Sequence, residues 1–101
     1  MKTKYLAINK EKGVFLGTYS GYAFFAKTDP TGMSNAYAFD DENTARFFLN
    51  ANLPAQANST FFVPIESKTN YVSVVDIIKA GYGDYTHKMM DALPMVSTTV
   101  H

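Results

Sequence analysis

One stretch constrains the fold more than any other, residues 36–53, AYAFDDENTARFFLNANL. Ala36, Tyr37, Ala38 and Phe39 read as a short aromatic strand, because aromatic side chains favour extended backbone. Asp40, Asp41 and Glu42 follow at the start of a helix. An aspartate there accepts hydrogen bonds from free backbone N–H groups two or three residues on, and acids suit the positive end of the helix dipole. Ala45, Phe48 and Leu49 recur at i, i+3 and i+4 and make one apolar stripe. Asn50, Asn52 and Pro54 end the helix. A strand that delivers a capped amphipathic helix needs a sheet on which both can pack.

The residues before this unit supply that sheet. Residues 5–9 alternate, with Leu6 and Ile8 on one face and Tyr5 and Ala7 on the other. Lys10, Glu11, Lys12 and Gly13 form a polar turn into a second strand that opens with Val14, Phe15 and Leu16. Gly17 and Gly21 interrupt a β-like run, which marks a bulge, a bend or a close backbone approach. A turn at Tyr19, Ser20 and Gly21 then leads to a third strand at residues 22–26, with one long bent strand as the alternative reading. Thr28-Asp29-Pro30-Thr31-Gly32 is the strongest turn signal in the chain. A fourth strand, residues 33–39, feeds the helix.

Beyond the helix, residues 55–59 read as a small polar loop and residues 60–65 as a fifth strand. Pro64 cannot donate to a ladder, so this strand lies at a sheet edge or ends there. Ser73-Val74-Val75-Asp76 resembles a capping box, and Gly81 suits a helix stop, so residues 74–80 are expected to be a short helix. A strand over residues 71–75 is the competing reading. Asp84 could cap a second short helix reaching Leu93, stopped by Pro94. Residues 95–100 read as a final strand or a tail. Strands come first and helices later, which predicts an α+β fold. It would have an antiparallel sheet of about four to five strands packed against one main helix, with two short C-terminal helices. At 101 residues the whole chain, 1–101, is expected to be a single domain.

Composition excludes several functions. There is no cysteine, hence no thiolate catalysis, Cys-ligated zinc or iron–sulfur cluster. With no apolar signal core at the start and no disulfides, a cytoplasmic location is expected. No apolar run approaches the roughly 20 residues of a membrane span, so no membrane partner is expected. The formal net charge is zero, which disfavours nucleic acid as a partner. The charge is uneven, however. Residues 1–27 hold five lysines against Glu11, and residues 28–45 hold four acids and no base. The two segments could simply neutralise one another.

Few residues point to chemistry. His87, with Asp84 and Asp91 at helical spacing, could form a metal site or a tuned base; a solvated helix face is the favoured reading. Gly21-Tyr22-Ala23-Phe24-Phe25 resembles the second signature of the RNA recognition motif. Ser20 stands where a base is expected, and residues 9–21 cannot hold that fold's first helix. No serine sits in a nucleophile elbow and there is no phosphate loop. No cofactor and no enzymatic activity are expected.

The tyrosines are in surplus for a core of this size. Tyrosine is enriched at interfaces because it combines contact area with a polar tip. Tyr19, Tyr22, Tyr82 and Tyr85, with the acids Asp40, Asp41 and Glu42, are therefore the candidate protein-binding residues. The expected function is a non-enzymatic protein-binding module. A small-ligand, nucleotide or single-stranded nucleic-acid binder is the alternative, and an exposed edge strand could pair two copies. Hairpins feeding AYAFDDENTARFFL resemble, in size and layout, small phage-encoded inhibitors of host defence such as anti-CRISPR proteins. That resemblance implies stoichiometric binding to a host protein complex in the host cytoplasm, without a cofactor.

Overall fold

The computed structural model describes residues 1–26, 35–85 and 90–96. Its centre is β1 (Lys2–Asn9), flanked on one side along its whole length by β5 (Thr60–Ser67). Two strands share its other side. β2 (Gly13–Tyr19) pairs with Ile8 and Asn9, and β4 (Asn35–Phe39) pairs with Tyr5 and Leu6. β2 continues the sheet through β3 (Tyr22–Ala26) to β7 (Asp91–Pro94), and β4 continues it to β6 (Tyr71–Ser73). All pairings are antiparallel, giving a seven-stranded sheet.

The helix of residues 36–53 forms as the sequence requires. Asp41 is its N-cap, its carboxylate accepting from the Thr44 N–H at 2.7 Å, and α1 spans Glu42–Asn52. Ala45 and Leu49 are buried, with Phe48 half-buried beside them, against Ala7, Phe15, Ala23, Phe25 and Phe39. On the opposite face Leu6, Ile8, Ala36, Ala38 and Ile65 pack with Val72 and Ile77. The period-2 alternation in β1 thus feeds two cores, one on each side of the sheet.

The hairpin turns follow backbone chemistry. Ser20 and Gly21 both have positive φ (52° and 83°) between the partners Tyr19 and Tyr22. This is a two-residue turn of the primed kind, whose twist matches that of the strands. Asn9 is buried and fully bonded. Its Oδ1 accepts from the N–H groups of Glu11 and Lys12, and its Nδ2 donates to the Gln56 carbonyl and the Thr60 hydroxyl.

Several expectations are corrected. Among the described residues there are seven strands, not four to five: β7 comes from a segment read as helix, and β6 from one where a strand is the competing reading. Residues 55–59 are not a plain loop: Pro54 opens α2 (Pro54–Ala57). Proline stops one helix and, with its preset φ, starts the next. The second C-terminal helix is absent among the described residues. A 3₁₀ turn, Gly83–Tyr85, stands near its start, and Asp91–Pro94 forms β7 on β3 instead. The fourth strand begins at Asn35. Met33, the turn at residues 28–32 and His87 lie outside the described residues.

Residues 71–80 satisfy both competing readings in succession. Tyr71–Ser73 is β6; Ser73 then caps α3 (Val74–Ile77) by accepting from the Asp76 N–H. A π turn, Ile78–Tyr82, continues the helix and contains Gly81 at φ 100°. Pro64 lies mid-strand in β5 but at the sheet's edge, since β5 pairs only with β1 among the described residues. Its carbonyl accepts from the Tyr82 hydroxyl at 3.3 Å.

Candidate functional site

The seven residues singled out in the sequence fall in three places. Tyr19 and Tyr22 face each other across the hairpin tip, 75% and 46% exposed. Asp40, Asp41 and Glu42 surround the start of α1, and each has a structural bond. Asp40 accepts from Lys4 Nζ at 2.6 Å and from Asn70 Nδ2 at 2.9 Å; Asp41 is the cap; Glu42 pairs with Arg46 one turn on. Tyr82 and Tyr85 are half-buried against the other core, and Tyr85 meets Phe61 edge-on with ring centroids 5.5 Å apart. These two tyrosines are thus packed more than presented.

The Lys4–Asp40 contact has an electrostatic consequence. The Lys4 ammonium, donating to the Asp40 carboxylate with help from Asn70, holds that carboxyl below the usual aspartate range. Lys12 does the same to Asp91 through a 2.8 Å contact, and Asp91 in turn raises the Lys12 ammonium. The second bond ties the β1–β2 turn to β7. The opposite charges of the two sequence segments therefore partly meet within the fold.

The best-formed concavity lies elsewhere. A groove of about 450 Å³ opens between α1 and the sheet, lined by Phe15, Tyr37, Phe39, Phe47, Phe48 and Tyr71 among others. Gly17 and Thr18 form its edge. A second groove of about 420 Å³ shares Gly17, Thr18 and Tyr71, and adds Leu16, Tyr19, Phe24 and Met90. Among the described residues no charged side chain lines either groove. Phe47 is 75% exposed and Tyr71 62%. The rings connect inward: Tyr71 contacts Tyr37, Tyr37 contacts Phe39, and Phe39 stacks on Phe15 at 5.7 Å. The exposed Tyr71 thus rests on a run of packed rings that ends in the buried core.

Phe47 was legible in the sequence. A helix stripe through Ala45, Phe48 and Leu49 leaves the next-door Phe47 turned away from the core, because neighbours along a helix stand about 100° apart. Tyr71 belonged to the surplus of tyrosines in the sequence, but its place beside the groove depends on β6 pairing with β4.

Among the described residues no group of three or more His, Cys, Asp or Glu could hold a metal ion. Asp91 lies in a strand and bonds Lys12, so it does not share a helix face with Asp84, and His87 lies outside the described residues. Among the described residues no helix is long and apolar enough to cross a membrane. No protein-family model, curated protein or solved structure matches the chain.

Proposed function

We infer that the chain is a non-enzymatic protein-binding module whose contact surface is centred on the paired aromatic grooves. One observation carries this reading: Phe47, Tyr71 and Tyr19 are large and exposed, and they line two adjoining grooves that share Gly17, Thr18 and Tyr71 and have no charged side chain in their lining among the described residues. Exposing such groups to water without a partner is unfavourable, and contiguous apolar patches of this kind mark interaction sites. Aromatic side chains give large contact area with few rotatable bonds, and Tyr71 is already packed on Tyr37, which suits them to act as binding hot spots. A partner contact of standard size would cover roughly 800 Å² on this side. From the resemblance of its sequence to small phage-encoded inhibitors in size and layout, the partner we propose is a host defence complex whose working surface the protein covers.

The test is affinity capture from host lysate with the wild-type chain and with Phe47→Ser/Tyr71→Ser. Both side chains are exposed, so the double variant should keep its melting temperature. The expected result is a stoichiometric partner retained by the wild type and lost by the variant. A partner captured equally by both would refute the placement of the site, and no partner at all would refute the module.

The first groove also favours one other reading. Its volume falls within the roughly 300–1,000 Å³ of small-ligand sites, and its rings would suit a flat aromatic ligand. Saturable thermal stabilisation by a nucleotide or other planar compound, lost in Phe47→Ser, would move the assignment to ligand binding.

A further inference from the structure

β2 leaves its neighbour early. Only Gly13 and Val14 pair with β1, after which β4 takes over that side of β1. Among the described residues no register joins β2 to β4, although the two strands run close together, so residues 17–19 pair with β3 on one side and, among those residues, have no ladder partner on the other. A bulge falls at this point, between Phe15 and Gly17. Gly17 has φ 148°, and a Cβ built on it would meet nothing within 4 Å. A glycine beside open space in a strand is a place where another backbone can approach closely.

The orientation of Thr18 follows from the turn. Tyr19 and Tyr22 close a two-residue hairpin, so their backbone groups face each other. Successive residues alternate, and the N–H and C=O of Thr18 therefore point away from β3, toward the open edge. Thr18 is itself exposed.

The two grooves lie on opposite faces of this edge. The first is floored by Phe15 and Phe39, which belong to the α1-side core. The second includes Leu16, which packs on the other core. A strand laid beside β2 would send successive side chains alternately into one groove and the other. The sheet's other margins are less suited. β5 carries Pro64 with its carbonyl already engaged by Tyr82, β7 ends in Pro94, and β6 has three residues.

We propose that the open edge of β2 at residues 17–19 receives an extended segment of the partner protein as an added strand, with large uncharged side chains at adjacent positions filling the two grooves. This rests on the protein-binding reading and specifies its mode. Main-chain bonds to Thr18 would supply affinity and the uncharged grooves selectivity, the usual division in strand addition. Charged side chains would find no counter-charge among the described residues of either groove's lining, so burying them there is disfavoured by desolvation.

The probe is a library of random twelve-residue peptides displayed on phage and selected on the immobilised full chain. Selected peptides should carry adjacent large uncharged residues. Binding should fall about five- to tenfold in Thr18→Pro, the worth of one main-chain hydrogen bond, and stay within about twofold in Thr18→Val, which keeps the N–H. Hydrogen exchange of the Thr18 amide in the wild type should slow on peptide binding, a reading that stands even if Thr18→Pro folds poorly. Unchanged Thr18 exchange in a saturated complex, full binding by a folded Thr18→Pro, or a library that yields no binder would each overturn strand addition. Lysate capture separates the two levels. A partner lost in Phe47→Ser/Tyr71→Ser but kept in Thr18→Pro sinks only the strand mode, whereas capture indifferent to all these changes sinks the site as well.

Discussion

Asn9→Ala should be among the most damaging single changes to this fold. The side chain is 1% exposed and makes four hydrogen bonds. Its Oδ1 accepts from Glu11 and Lys12 N–H, each at 2.9 Å, and its Nδ2 donates to Thr60 Oγ1 at 3.2 Å and Gln56 O at 3.3 Å. One carboxamide therefore closes the β1–β2 turn and fastens it to the junction of α2 and β5. At about 0.5–1.5 kcal/mol net per bond, four bonds amount to about 2–6 kcal/mol. The Glu11 and Lys12 amides lie at an exposed turn and regain water when the acceptor goes, so the expected loss is in the lower half, about 3 kcal/mol. For a chain of this size that lowers the melting temperature by about 12–24 °C. Urea unfolding followed by far-ultraviolet circular dichroism measures it, with the slope expected to stay unchanged. Thr60→Val in the same background should be non-additive, since the two side chains share a bond. A loss below about 1 kcal/mol, or full additivity with Thr60→Val, would refute the view that Asn9 clips these elements together.

Other consequences can be checked in the same assays. Gly21→Ala places a Cβ at φ 83° and should cost about 1–2 kcal/mol, whereas Ser20→Asn, giving the preferred Asn-Gly turn, should raise the melting temperature. Asp41→Ala should cost about 1 kcal/mol as a lost cap, and Glu42→Ala less than about 0.5 kcal/mol, because its pair with Arg46 is an exposed one. Asp40 and Asp91 both have lowered folded-state pKa values. Their contribution is therefore present above the ordinary aspartate value and lost as pH falls through the folded one. Acid titration of stability should flatten in Asp40→Asn and Asp91→Asn, and curves superimposable on wild type would contradict this. The raised Lys12 ammonium acts with opposite sign, its share being lost as pH rises through its folded value. Pro64→Thr restores an N–H on the outer edge of β5 and should increase concentration-dependent association by light scattering.

Residues 36–53 and the first two hairpins were determined by the sequence itself. A cap bonds three residues on, a helix stripe repeats within two turns, and a two-residue turn selects its own φ values. These interactions are local, so they leave local marks. A cap at Asp40 or Asp41, a turn at Gly21 and a capping Ser73 could be read from their neighbours alone, and the α+β antiparallel class followed; only the structure chose Asp41 as the cap.

The tertiary structure decided what depends on distant partners. Residues 91–94 have a pattern that suits a short helix or a strand, and pairing with β3 selects the strand. Lys4 is charged yet buried at 8% exposure, because Asp40 arrives beside it from 36 residues away. Tyr82 and Tyr85 resemble interface residues until Phe61 and the Pro64 carbonyl occupy them. The candidate site depends on the same kind of distant choice. β4 displaces β2 from the side of β1, and that displacement opens the β2 edge and brings Tyr71 over the grooves. Strand competition for one edge is settled by long-range register and packing, and no short window of sequence contains it.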